Sequence, residues 1–290
     1  QAALAAGKRV YSEKPLGVTM EEARGLMTHA DRIACAPAAH LSPAVGAVQT
    51  LIAEGALGRV IGASAAIVYP GPDLWHANPA ALFDRGAGPL FDMGVYPVSI
   101  LVALMGPVTR VHGVGRQARD IRVIANGPRA GERFAVTVPT HVTALLEFAA
   151  GPTATLTASF DGFASKAPGL EVYGDAGAVA LPSCDPLSTR YWRAESALRW
   201  REEQAASHGE AFWPIGVLEA LWAWRLGRAP RTEAGFGLHV LECLSAVALA
   251  CETGEAQTLK TGCMPPTPIQ AADLAAITAA FGPPHQRSAA

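Results

Sequence analysis

Two neighbouring stretches alternate strictly, and they limit the fold more than any other feature of the chain. In "HVTALLEF" (141–148), Val142, Ala144, Leu146 and Phe148 fall on one side. In "TATLTASF" (153–160), Ala154, Leu156, Ala158 and Phe160 oppose Thr153, Thr155, Thr157 and Ser159. A period of two sends successive side chains to opposite faces of a strand. Each stretch therefore has one core face and one polar face, as in an antiparallel sheet covered on one side. Four further β-like stretches surround them: "RVIGASAAIVYP", "VTRVHGVG", "GLEVYGD" and "GAVALP". The threonine-rich face is left either to water or to another subunit.

The first 37 residues follow a different rule. "AALAAG" reads as a helix end capped by Gly7, and "RVYSEK" as a strand. Thr19 and Glu22 form a capping box for a helix through "MEEARGLMTHAD", and "RIACAP" is a second short strand. This alternation predicts parallel strands joined by a crossover helix. Ser42 as N-cap with Pro43 behind it then predicts a helix that ends near Gly55 and Gly58. Two more helices are expected, in "GPLFDMGVYPVSILVALMG" and in "AGFGLHVLECLSAVALACETG", the latter stopped by Gly254. "AAFGPPHQRSAA" reads as a frayed end.

Composition narrows the function classes. Half of the 290 residues are hydrophobic and 17% are charged, so a large core is available. A formal net charge of −2 argues against a basic nucleic-acid-binding face. The five cysteines are scattered singly without metal-type spacing, which fits a reducing cytoplasm and no metal site. The most apolar helix carries Glu242 and Glu252 and reads as too short to span a bilayer, so no membrane partner is expected.

"HGVGRQA" matches a GxGxxA fingerprint at Gly113, Gly115 and Ala118, but no apolar helical face follows, so the match is set aside. His29, His112, His208 and His285 are too dispersed to argue a site from.

Three stretches can carry chemistry. "SEKPLG" places Lys14 at a strand end in the α/β part, where ligands bind in open parallel sheets. Pro15 restricts Lys14 to extended geometry. "RGAGPLFDMGVYP" brings Asp92 and Tyr96 to one helix face at i, i+4 spacing, with irregular first turns and a regular helix from about Pro97. A phenol beside a carboxylate can exchange a proton in carbonyl chemistry, most readily where a lysine ammonium lowers its pKa. "DLWHANP" puts Trp75 and His76 on a loop, either lining a polar pocket or anchoring a turn. Taken singly, Lys14 reads as a solvated charge, Asp92 as a helix cap and Tyr96 as a core residue.

In order, "EKPLGVTMEEARGLM", "LIAEGALGRVIGA" and "GAGPLFDMGVYPVSILVALMGPV" closely resemble the Gfo/Idh/MocA oxidoreductase family, that of glucose–fructose oxidoreductase and inositol dehydrogenase. The resemblance implies an α/β plus α+β chain: the C-terminal remnant of a Rossmann domain, then a large, mainly antiparallel open sheet with helices on one face. It divides the chain into a partial NAD(P)-binding domain (1–40), a substrate and oligomerisation domain (41–265) and a tail (266–290). It implies NAD or NADP as cofactor, contacted by Glu13, Lys14 and Pro15, with a Lys14–Pro15 bond that is often cis. Catalysis falls on Lys14, Asp92 and Tyr96, and substrate contacts on Trp75, His76 and Asp92. Tyr96 stands where most members carry histidine and one branch carries tyrosine. The substrate would be a sugar, polyol or related hydroxy or carbonyl compound, and the assembly a homodimer or homotetramer through the sheet.

Two departures qualify the match. "APAAHLSPAVG" lacks an arginine that many members have, and Ala87 replaces the middle glycine of three. The family's GxGxxG would precede Gln1 by roughly 70–90 residues, at about 30 per βαβ unit. The expectation is therefore poor solubility or weak NAD(P) binding for the 290 residues alone. Two other readings stay open: an NAD-dependent glycoside hydrolase, and a non-catalytic ligand-sensing or scaffolding protein on the same fold.

Overall fold

A computed structural model describes residues 1–167, 169–182, 184, 188–195, 199–205 and 214–281. His208 and His285 lie outside these residues, as does 282–290 of the expected frayed end.

The chain opens with a short helix α1 (Ala2–Ala5), strand β1 (Val10–Ser12), helix α2 (Met20–Leu26) and strand β2 (Ile33–Cys35). Thr19 Oγ1 accepts from the Glu22 amide at 3.2 Å, and the Glu22 carboxylate accepts from the Thr19 amide at 3.2 Å, so the capping box forms. β1 and β2 pair in parallel, Val10 with Ile33 and Ser12 with Cys35. Helix α3 (Pro43–Ala53) begins where Ser42 Oγ accepts from the Val45 amide.

The main body follows. Strand β3 (Val60–Val68) leads through a long loop to α4 (Val95–Met105) and β4 (Val108–Arg116). A hairpin β5 (Ile121–Val123) and β6 (Arg133–Ala135) precedes β7 (His141–Phe148), β8 (Thr153–Ser159), β9 (Leu170–Gly174) and β10 (Ala178–Leu181). Then come β11 (Arg190–Ala194), β12 (Trp200–Gln204), α5 (Ile215–Arg225), α6 (Ala234–Thr253), β13 (Gln257–Thr258) and α7 (Ala271–Phe281). Nine strands form one sheet in the order β12-β11-β10-β9-β3-β8-β7-β4-β13. All neighbours are antiparallel except β3 and β8.

The alternating stretches are placed as their pattern requires. Val142, Ala144, Leu146, Phe148, Ala154, Leu156, Ala158 and Phe160 are buried. Thr143, Thr153 and Thr155 are exposed on the opposite face. α4 and α6 cover the core face, α6 lying along β4. Each fully buried leucine there contributes about 1.5–3 kcal/mol. Gly113 and Gly115 serve this packing and not phosphate binding. Cβ atoms added to them would stand 2.9 Å from the Val247 carbonyl and 2.9 Å from Pro139, and β4 runs straight through both.

α6 corrects the reading of its length. It spans 20 residues and is apolar enough to cross a membrane, yet 67% of its most apolar window is buried inside the protein. It also touches β2, where Gly237 lets Cys35 approach. His239 on α6 accepts the Val108 amide at Nε2, 2.9 Å, and its Nδ1–H faces Thr261 Oγ1 at 2.9 Å. Glu242 accepts from the Lys260 and Thr261 amides.

Residues 266–281 are anchored. Glu219, with no exposed side-chain area, pairs with Arg228 at 2.8 Å and Arg231 at 3.0 Å, and Arg231 reaches Asp273 of α7 at 2.7 Å.

Candidate active site

The site forms where the end of β1 meets the entry to α4. That entry is not a plain helix start. Gly86 and Gly88 have φ of +83° and +76°, which excludes most other residues, and the Ala87 between them has no such need. Leu90–Gly94 forms a π-helical turn, and α4 is regular from Val95 and not from Pro97. The wider turn carries Asp92. Turns of this kind recur at functional sites.

Lys14 follows β1 and its bond to Pro15 is cis, as the resemblance implies. Its Nζ donates to the Asp92 backbone oxygen at 2.5 Å and to Asp92 Oδ1 at 2.9 Å. The two side chains are only 14% and 22% exposed. The same ammonium stands 5.1 Å from the centre of the Tyr96 ring. Lys14, Asp92 and Tyr96 thus converge. Neither single-residue alternative holds for the first two: Lys14 is not a solvated charge, and Asp92 makes no helix-cap bond.

Two influences oppose each other at the phenol. Burial raises the Tyr96 pKa above its ordinary value, the Lys14 charge opposes that rise and Asp92 adds to it. Burial prevails, so the hydroxyl is protonated at neutral pH.

Glu13 is exposed, and its carboxylate accepts the Lys14 amide at 2.9 Å, which fixes the backbone before the lysine side chain. Trp75 is 53% exposed and reaches the site indirectly: its ring packs on Tyr69 at 5.3 Å. His76 turns to its own loop, Nδ1 accepting the Asn78 amide at 3.0 Å. Among the described residues no hydrogen bond or ion pair joins it to Lys14, Asp92 or Tyr96.

Tyr69 was missed by sequence reasoning. It lies between Trp75 and Phe160, and its hydroxyl pKa is raised by burial and by the nearby Asp92 and Tyr96. Its sequence signal, one aromatic at the end of an apolar strand, is too common to single it out.

A lysine-bearing parallel βαβ unit thus meets a helix-backed open sheet. An oxidoreductase domain protein from Kribbella flavida superposes with TM-score 0.74 over 89% of this chain and 76% of that one, at 23% identity. A levoglucosan dehydrogenase solved with NADH and L-sorbose superposes with TM-score 0.75 over 90% of this chain and 76% of that one, at 20% identity. Residues 45–180 match the model of the GFO/IDH/MocA C-terminal domain. The trans-1,2-dihydrobenzene-1,2-diol dehydrogenase of Oryctolagus cuniculus is 31% identical over 160 residues, 54% of this chain and 44% of that protein. The chain thus aligns with less than half the length of that relative.

Proposed function

We propose that the complete protein is a nicotinamide-dependent oxidoreductase that interconverts a hydroxyl and a carbonyl on a sugar, polyol or related small molecule. The observation that carries this reading is Lys14 held against Asp92 and over the Tyr96 ring. A cation, a carboxylate and a phenol meet at the end of a parallel strand, which is where NAD or NADP binds in such sheets. The donor set fits the cofactor: Glu13, Lys14 and Pro15 would flank it, as part of a Rossmann domain that includes β1 and β2. When bound, the nicotinamide supplies the hydride acceptor or donor.

The chain's own residues handle the proton and the charge. Tyr96, protonated at neutral pH, gives its proton to a carbonyl oxygen in reduction and takes it back in oxidation. Lys14 stabilises negative charge on the substrate oxygen and on the phenolate. Asp92 holds Lys14 at two points and orients it. The names of the relatives support the substrate class: one is a dihydrodiol dehydrogenase and one a levoglucosan dehydrogenase solved with NADH.

The test is NAD(P)H formation at 340 nm by the complete protein with trans-1,2-dihydrobenzene-1,2-diol or levoglucosan. Reduced cofactor should accumulate with at least one of them. Release of a hydrolysed sugar without net reduction would contradict the reading.

The same proposal extends to assembly. Val114, Leu145 and Tyr173 are 57%, 37% and 37% exposed on the sheet face that no helix covers among the described residues. A second copy seated there would bury them. Leu145→Arg should then turn a dimer or tetramer into monomer in sedimentation velocity. The five free thiols suit a reducing compartment such as the cytoplasm.

A further inference from the structure

The β5–β6 hairpin stands apart from the nine-stranded sheet. Arg122 at its centre is buried, its side chain 2% exposed. Nη1 donates to the Pro70 carbonyl at 2.9 Å and to Asp73 Oδ1 at 2.9 Å. Nη2 donates to the Phe160 carbonyl at 2.8 Å and to the Asp161 carboxylate. The guanidinium also lies 4.9 Å from the centre of the Phe83 ring. These anchors flank Tyr69: Pro70 is its chain neighbour, and Phe160 packs on its ring at 5.2 Å.

The tip of the hairpin holds the rest of the loop. The Ala125 amide donates to the Asp73 carbonyl at 2.9 Å, and Arg129 Nη1 donates to Asn78 Oδ1 at 2.7 Å. A Cβ on Gly127 would lie 2.9 Å from Ala77, so the hairpin turn rests directly on the loop. Desolvating a guanidinium with two carboxylates is a poor way to gain stability, since apolar side chains would fill the space as well. What such a cluster does supply is fixed geometry, and the geometry it fixes is that of residues 69–78.

We propose that the β5–β6 hairpin sets the specificity of the site, with Arg122 and Arg129 as positioning residues for Tyr69 and the Trp75–Asn78 loop. This rests on the oxidoreductase reading above. Among the described residues the hairpin makes no hydrogen bond to Lys14, Asp92 or Tyr96, so it acts on which substrate fits and not on proton transfer.

The test uses Arg129→Ala in the complete protein, with Arg129→Lys as the conservative control and Arg122→Lys as a second variant. Arg129 is about half exposed, so its truncation leaves the fold intact. Amide hydrogen exchange reads the loop, where the Trp75 and His76 amides both donate to the Pro72 carbonyl. KM values for trans-1,2-dihydrobenzene-1,2-diol and levoglucosan read specificity. Arg129→Ala should speed exchange at both amides and shift the ratio of the two KM values about fivefold, the effect of one lost hydrogen bond. Its kcat and Tm should stay at wild-type values, Arg129→Lys should restore the ratio, and Arg122→Lys should shift it in the same direction. Unchanged loop exchange, or an unchanged KM ratio, would overturn the proposal. If the wild type turns over neither compound, the oxidoreductase reading fails on that result, and loop exchange alone decides whether the hairpin positions the loop.

Discussion

Lys14 Nζ bonds both the backbone oxygen and a carboxylate oxygen of Asp92, 78 residues further along the chain, at 2.5 and 2.9 Å. The double contact separates two roles of Asp92. Asp92→Asn keeps the backbone acceptor and removes the charge. It should lower kcat about 10- to 100-fold and move Tm by only a few degrees. Steady-state kinetics beside a thermal melt check both halves.

With Tyr96 as the proposed acid/base, its half-buried phenol predicts the pH dependence. A tyrosine whose pKa is raised above its ordinary value stays protonated well into the alkaline range. Alcohol oxidation needs the phenolate, so kcat/KM for oxidation should climb with pH through the neutral and alkaline range. Carbonyl reduction, which uses the protonated form, should stay flat there. Lys14 opposes the rise in pKa, so Lys14→Met should move the oxidation profile to still higher pH. A pH series on both enzymes reads this directly.

His40 makes the fold sensitive to acid. It is 1% exposed, its Nε2–H faces the Arg231 carbonyl at 3.2 Å, and burial pulls its pKa from 6.5 down to about 4. The folded form binds the proton less readily than the unfolded form. Stability is therefore full above pH 6.5 and falls as the pH drops toward 4, by about 3 kcal/mol at most. His40→Gln should flatten that decline in urea denaturation across the same window.

Glu219 is buried and paired with Arg228 and Arg231. Glu219→Ala leaves Arg231 without its most buried partner and should cost about 3–5 kcal/mol. Equilibrium unfolding of the variant measures the loss.

Local signals carried most of the fold, and the order of a family pattern pointed to the candidate site. Strict alternation located β7 and β8, and caps located α2 and α3, because these depend on residues next to one another. β11, β12 and α5 were not read, because their charged and aromatic residues follow no clean period. α7 was folded into a tail because its anchor, Asp273 to Arg231, spans 42 residues. Lys14, Asp92 and Tyr96 were singled out from their order in a family pattern, and the structure brings them together. Tyr69 and Arg122 were not, since burial and packing across distant segments give them their meaning. The direction of the Tyr96 pKa was not legible for the same reason: the sequence shows the lysine but not the desolvation that outweighs it.

The most direct test of the account is the turnover of Tyr96→Phe in the complete protein, followed as NAD(P)H absorbance with the better of the two alcohols. The substitution removes one hydroxyl and leaves the ring beside Lys14. The account predicts a fall in kcat of about 10²- to 10⁴-fold with the melting temperature unchanged. Turnover within about twofold of wild type would contradict it, because a spectator hydroxyl contributes no such factor.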